Sequence, residues 1–328
     1  MGTQKARQDS SRLAKTPPNW YSRSTSVLVS MLAQVVERLG KPYFASPNCL
    51  IYNMDCLEGM NALENGIVDL AITSPPYNIG KEYESTMETT EYVEWCCTWL
   101  HHVARLIAEN GAFWLNLGYI PIGNRGKAVP IPYLLWDKVP MFLQQEVVWN
   151  YGAGVAGKRF FSPRNEKFLW YLKNSDSYTF NLDQIRDPNV KYPNQKKNGK
   201  IKVNPIGKNP SDVWEFPKVT SGAGRASKER TSHPAQFPIA VIDRIILGCS
   251  NPSDFIMDPF LGSGTTAAVA IRRGRRFVGF EIRKDYCDIA CERICQGLSE
   301  QEELKLLPDL QHLKPRQENL DLVIPIAS

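Results

Sequence analysis

The sequence predicts an α/β fold, a doubly wound and mostly parallel sheet, on three observations. Short apolar runs that read as buried strands alternate with stretches of helical periodicity along most of the 328 residues. The run Asp254-Phe255-Ile256-Met257 passes through Asp258-Pro259-Phe260-Leu261-Gly262-Ser263-Gly264 into Thr265-Thr266-Ala267-Ala268, which reads as strand, glycine turn and helix start. The run Val68-Asp69-Leu70-Ala71-Ile72 ends on Thr73-Ser74-Pro75-Pro76-Tyr77-Asn78, a stiff polar lip at a strand end, where open α/β sheets bind ligands.

Taken in order, residues 1–45 read as a basic leader followed by a helix. The first twenty residues lack apolar periodicity, whereas Val27, Leu28, Met31, Leu32, Val35, Val36 and Leu39 repeat at helical spacing up to Gly40. Residues 46–180 form one half of the sheet domain: a helix from about Glu91 to Glu109 carrying Tyr92, Trp95, Trp99 and Val103, a strand Gly111–Leu117, a helix near Tyr133–Leu143, and strands Glu146–Trp149 and Phe168–Leu172. Between 181 and 230 apolar periodicity fades and Lys191, Lys196, Lys197, Lys200, Lys202 and Lys208 mix with Asn and Pro, the signature of an irregular insertion. Residues 231–300 form the second half, with a strand Arg276–Phe280, and 301–328 a tail.

The lip has a chemical reading. Proline fixes its own backbone and holds the preceding residue extended, so the carbonyls of Pro75 and Pro76 are left for a ligand's amino group. Tyr77 offers a flat face for a planar heterocycle. Gly262 and Gly264 remove β-carbons from a turn whose free N–H groups open a helix, and Glu281, at the tip of the next strand, suits the hydroxyls of a ribose. The same Gly262-x-Gly264-x-x-Ala267 spacing also satisfies a dinucleotide fingerprint, which makes an oxidoreductase the rival enzyme class; the double-proline lip disfavours it.

Ser74-Pro75-Pro76-Tyr77-Asn78 together with Asp258-Pro259-Phe260-Leu261-Gly262-Ser263-Gly264-Thr265-Thr266 resembles the S-adenosylmethionine-dependent amino-methyltransferases of DNA, in the permuted group whose catalytic motif precedes its cofactor motif. The resemblance runs from about Leu50 to Arg293, and includes Asp55 in Ile51–Glu58 and His233 in His233–Pro238. It implies a Rossmann-like methyltransferase fold with target recognition in the insertion. Asp258, Pro259, Phe260, Gly262, Ser263, Gly264 and Thr265 would surround the methionine end of S-adenosylmethionine, Glu281 the ribose, and Asp55 the adenine amino group. Asp55 reads equally well as the cap of the helix starting at Leu57, and His233 as a plain loop residue. The family usually has lysine where this chain has Phe237. Serine opening the motif, as Ser74 does, implies methylation of cytosine N4; aspartate is commoner in enzymes acting on adenine N6.

The partners implied are double-stranded DNA and a restriction endonuclease acting on the same site, with the enzyme a monomer or homodimer. A net charge of +5 supports a polyanionic partner only if concentrated on one face. Lys158 and Arg159, in a glycine-rich aromatic segment, and Lys196, Lys197 and Lys200 are the candidate DNA contacts. Eight cysteines, no signal peptide and no apolar run of membrane length point to the cytoplasm. Cys287, Cys291 and Cys295 recur at helical spacing without a C-x-x-C pair, and read as a buried helix face, not a metal site. RNA methylation and non-enzymatic DNA binding are the further alternatives; the latter would need a recognition helix or zinc module, which the sequence lacks.

Overall fold

Side chains alternate across the central strands and feed two cores, one on each face of a single sheet. The computed structural model describes residues 25–299 except 83, 153, 155 and 220–226; the leader over the first twenty residues and the tail at 301–328 lie outside the described residues. The elements are α1 (Thr25–Leu39), β1 (Phe44–Ser46), β2 (Cys49–Tyr52), α2 (Cys56–Ala62), β3 (Val68–Thr73), α3 (Thr89–Leu106), β4 (Ile107–Leu117), β5 (Tyr119–Ile122), β6 (Gly126–Pro130), α4 (Pro132–Leu135), β7 (Phe142–Asn150), β8 (Asn165–Leu172), α5 (Leu182–Ile185), β9 (Lys196–Lys197), β10 (Lys200–Ile201), β11 (Val213–Glu215), α6 (Ile239–Cys249), β12 (Phe255–Asp258), α7 (Thr265–Arg272), β13 (Arg276–Phe280) and α8 (Lys284–Ser299).

The main sheet runs β1-β2-β13-β12-β3-β4-β8-β7-β11. Strands β2, β13, β12, β3 and β4 are parallel to one another, β1 is antiparallel to β2, and β8 is antiparallel to both β4 and β7. One core joins α1, α2 and α3 to the sheet through residues such as Val35, Met60, Trp99, Phe113 and Met257. The other joins α6, α7 and α8 through Ile242, Ala267 and Ile294, against Leu70, Ile72 and Ile256. From β3 the chain winds outward through α3 to β4, whereas from β12 it winds the opposite way through α7 to β13. The switch point of the topology therefore lies between β3 and β12, where a crevice opens at the strand ends.

Several elements differ from expectation. The helix near 133–143 is only Pro132–Leu135, and a strand already begins at Phe142. Leu135 and Val139 are buried four residues apart and so imitate helical spacing, but Pro140 disfavours helix at the residue before it. The expected strand at Gly111 starts at Ile107, across an irregularity in its pairing with β3. The insertion is not wholly irregular: Val213–Glu215 pairs parallel with β7, and Trp214 is buried with its ring stacked on Trp114 at 5.5 Å. Cys287 is buried, with Cys291 and Cys295 packed beside it on α8. No helix among the described residues is long and apolar enough to cross a membrane.

Gly264 and Gly66 both have left-handed backbones, with φ of 73° and 70°. A β-carbon on Gly264 would stand 2.6 Å from Ala290 Cβ on α8, whereas one on Gly66 would meet nothing within 4 Å. Denaturant unfolding should therefore find Gly66→Ala costing about 1–2 kcal/mol from backbone strain alone, and Gly264→Ala roughly 2–5 kcal/mol from strain plus overpacking. Equal costs would contradict this account of the α7–α8 packing.

Candidate active site

The two motifs meet. A cavity of about 430 Å³ at the ends of β3 and β12 is lined by Ser74, Pro75, Pro76 and Tyr77, and also by Asp258, Pro259, Phe260, Gly262, Ser263, Thr265 and Glu281. Asp55 and His233 line it too. The junction is a buried hydrogen bond: Thr73 Oγ1, at the end of β3, donates to Asp258 Oδ1, at the end of β12, at 2.6 Å.

Asp258 turns the glycine loop as well as tying the strands. Its other oxygen accepts from Thr266 Oγ1 at 2.8 Å, and Oδ1 also accepts from Phe260 N–H at 3.1 Å. Burial pushes its carboxyl up to about 7, opposed by these three donors. Both oxygens are thus engaged within the protein. Gly262, at φ 53°, gives its N–H to Glu281 Oε2 at 2.9 Å, and Glu281 Oε1 accepts from Arg283 N–H at 2.9 Å. Burial also raises the Glu281 carboxyl. Behind the loop, Arg293 of α8 donates to Ser263 O, Ser263 Oγ and Thr265 Oγ1 at 3.0, 3.1 and 2.7 Å. The turn is therefore rigid before any ligand arrives.

On the lip, Ser74 Oγ lies 2.9 Å from Tyr77 OH, and Tyr77 OH donates to Asn116 Oδ1 at 2.7 Å. Asn116 is 1% exposed. The Tyr77 ring packs where a β-carbon on Gly118 would otherwise stand, 2.8 Å from Tyr77 Cε2. No hydrogen bond to the Pro75 carbonyl is present among the described residues. The Pro76 carbonyl is different: Tyr92 OH donates to it at 2.9 Å, so of the two expected acceptors only the Pro75 carbonyl is left without a donor among the described residues. Asn78, at φ 59°, exchanges hydrogen bonds with the backbone of Met87, while Glu84 collects the N–H groups of Asn78, Ile79 and Lys81. These pairings fix the segment that leaves the lip.

Glu166, Lys218 and Asn116 are among the pocket residues that sequence reasoning missed. Glu166 Oε2 lies 3.4 Å from Tyr77 OH, and its Oε1 accepts from Lys218 Nζ at 2.5 Å. Lys218 Nζ also sits 3.9 Å from the centre of the Tyr151 ring. Asn116 completes the wall. A polar residue inside the apolar strand around Leu115 and Leu117 was a readable signal for Asn116, whereas nothing in the insertion singled out Lys218. Phe237, standing where a lysine was expected, packs on Phe168 at 5.8 Å, while Lys81, Lys218 and Arg283 are cations on the pocket lining.

Other expected site residues fall differently. Gly264 does not line the cavity; its missing β-carbon makes room for α8 and not for a ligand. Asp55 lines the cavity, and its Oδ1 caps α2 by accepting from Leu57 N–H at 2.7 Å. Lys158 and Arg159 are exposed on the loop between β7 and β8, and Lys196, Lys197 and Lys200 are exposed on the β9–β10 hairpin. None of these five lines the cavity. Among the described residues no group of three His, Cys, Asp or Glu side chains could hold a metal ion.

Residues 68–292 match the family described as DNA methylase, N6_N4_Mtase. Type II methyltransferase M.ScaI of Streptomyces caespitosus is 60% identical over 274 residues, 84% of this chain and 90% of that protein. Type II methyltransferase M.BglII of Bacillus subtilis is 35% identical, over 84% of this chain and 76% of its own. DNA adenine methyltransferase YhdJ of Escherichia coli (strain K12) is 32% identical, over 74% and 82%. Among solved structures, the cytosine-N4-specific PvuII DNA methyltransferase shares the fold with a TM-score of 0.60 at 19% identity, over 82% of this chain and 95% of that one.

Burial holds the His233 imidazole down at about 4, opposed by Glu82 and aided by Arg283 and Arg293. It is neutral near pH 7, with Nδ1 accepting from Ala235 N–H at 3.2 Å, which leaves the ring proton on Nε2. Between pH 6.5 and 4 the unfolded chain takes up this proton more readily than the native state, so stability present above 6.5 is lost as pH falls. His233→Asn should remove about 3 kcal/mol of that decline, read as the difference between variant and parent in denaturant melts. Asp258 contributes the opposite slope to both proteins and cancels. Parallel profiles would show that His233 is hydrated or charged.

Proposed function

The chain belongs to the N6/N4 DNA methylase family, and from that membership we propose that it transfers the methyl group of S-adenosylmethionine to the N4 amino group of a cytosine in duplex DNA. The observation that carries the reading is the single cavity lined by both the Ser74–Tyr77 lip and the Asp258–Thr265 turn.

The cofactor half fits a nucleoside with a charged amino-acid arm. A β-carbon on Gly262 would stand 3.1 Å from His233 Nε2, so glycine lets His233 pack against the turn. In this reading Glu281 accepts the ribose hydroxyls, Asp55 faces the adenine amino group, and Phe260, Gly262, Ser263 and Thr265 surround the methionine end. Bound there, the sulfonium supplies an already activated methyl group. What the chain must supply is position and charge complementarity.

The amine of cytosine is a poor nucleophile because its lone pair is delocalised into the ring. Ser74 Oγ and the Pro75 carbonyl are placed as acceptors for its two hydrogens, and favouring their tetrahedral arrangement favours the nitrogen as it pyramidalises. Ser74 is preset by Tyr77 and Asn116. Its hydroxyl can also donate, which suits the cytosine ring nitrogen; an ionised carboxylate in its place could not. Tyr77 contributes a ring face to hold the base after it leaves the helix. Glu166 and Lys218 add an acceptor and a donor on the same wall. Lys158, Arg159, Lys196, Lys197 and Lys200 serve phosphate contacts outside the cavity, where their exposure suits a backbone role.

The relatives named as Type II methyltransferases support a restriction-modification setting, with an endonuclease of the same specificity as partner. Adenine N6 is the second reading, favoured by the likeness to the Escherichia coli adenine enzyme.

Incubation with labelled S-adenosylmethionine and mixed-sequence duplex DNA should label the DNA, and digestion to nucleosides should yield N4-methylcytosine by mass. N6-methyladenine as the main product would refute the cytosine assignment and leave the family intact. Ser74→Ala should lower kcat by about 100-fold or more with cofactor affinity nearly unchanged. Glu281→Ala should weaken cofactor affinity by about 10-fold or more, because two hydroxyls lose a carboxylate partner. Comparable cofactor loss in both variants would collapse the division between the two halves of the pocket.

A further inference from the structure

The loop between β7 and β8 begins and ends at the cavity, since Trp149 and Glu166 both line it. Its base is closed by Tyr151 N–H donating to Arg164 O at 2.9 Å. Within it a smaller turn is closed by Gly157 N–H donating to Ser162 Oγ at 2.8 Å. A β-carbon on Gly157 would lie 2.4 Å from Phe160 O and 3.2 Å from its ring, so the turn requires glycine there. Lys127, from the β5–β6 hairpin, sits 4.8 Å from the centre of the Phe160 ring and braces it. At the tip Phe161 is fully exposed, at 101%.

A lone exposed apolar side chain needs no explanation. This one is presented by a closed turn that also carries the exposed cations Lys158 and Arg159. It is also tethered to the pocket wall: Glu166 is five positions along the chain, so it lies at most about 18 Å away. An exposed apolar ring sharing a turn with two cations, on a loop rooted at the cavity wall, matches one surface above others, the stacked interior of a duplex bordered by phosphates.

We propose that Phe161 is the wedge that enters the DNA stack in place of the rotated base, with Lys158 and Arg159 holding the flanking phosphates. The inference rests on the reading of duplex DNA as substrate. Extruding a base leaves a gap between its neighbours and an unpaired partner opposite; an aromatic ring in that gap recovers stacking and slows the base's return. The pocket receives the base, and the loop occupies the place it left.

The probe is a duplex oligonucleotide centred on the position found methylated by sequencing DNA from cells expressing the protein, with 2-aminopurine paired to thymine at that position and S-adenosylhomocysteine present. The parent protein should raise the fluorescence several-fold as the probe base unstacks. Phe161→Ala should lose most of that rise and fall about 10- to 100-fold in kcat/KM for normal duplex, with melting temperature and S-adenosylmethionine affinity unchanged. Phe161→Leu, which still fills the gap, should stay within about 3-fold of the parent. A mismatched target base, already partly unstacked, should bring Phe161→Ala back to within about 3-fold as well. An alanine variant matching the parent on paired DNA, or equally impaired on paired and mismatched duplexes, would overturn the wedge. Failure of the parent to methylate any duplex, or labelling of RNA alone, would overturn the substrate reading and the wedge together.

Discussion

The hydrogen bond from Thr73 to Asp258 is the constraint on which the site depends. It links two adjacent parallel strands that are reached through opposite directions of winding, and it does so where each strand gives way to a functional loop. Thr73 is 0% exposed and Asp258 2%, so neither can exchange this partner for water. A buried carboxylate without donors would cost several kcal/mol. With Thr73, Thr266 and the Phe260 N–H it is satisfied, and the same three contacts fix the strand pairing, the start of α7 and the entry to the glycine turn. The lip and the turn thus share one rigid support.

Around that support the protein invests in bracing from behind. Arg293 holds the turn from α8, Tyr92 fixes the Pro76 carbonyl from α3, and Asn78 with Glu84 fixes the chain leaving the lip. Burial brings the Arg293 guanidinium down to about 10, an electrostatic cost offset by three hydrogen bonds to the turn. Each brace lies outside the contacts assigned to substrate, which suits a site whose task is orientation more than acid–base chemistry. The rim differs in character: the described residues between Gly152 and Ser162 are largely exposed and include glycines, cations and two phenylalanines.

Much of the fold and the centre of the site were legible because they are written in contiguous residues. Ser74-Pro75-Pro76-Tyr77 and Asp258–Thr265 each combine a strand end, a turn and a chemically distinctive side chain within a short window, and Glu281 follows at the expected strand tip. The remainder depends on contacts between distant segments. Lys218 reaches Glu166 across 52 positions and Tyr77 reaches Asn116 across 39, and no local pattern encodes either pairing. Gly264 was legible as a glycine required by its turn, but the atom that excludes a side chain there belongs to Ala290, on a helix that follows later. The edge strand at Val213–Glu215 is three residues long, too short for periodicity to register, and is held by the burial of Trp214.

A crystal structure with S-adenosylhomocysteine bound tests the central claim most directly, because it reports the orientation of the nucleoside relative to both motifs. The account predicts the ribose hydroxyls on Glu281 and the sulfur facing the Ser74–Tyr77 lip, with Thr73 and Asp258 still hydrogen-bonded beneath. A ribose seated away from Glu281, or a sulfur pointing away from the lip, would contradict it.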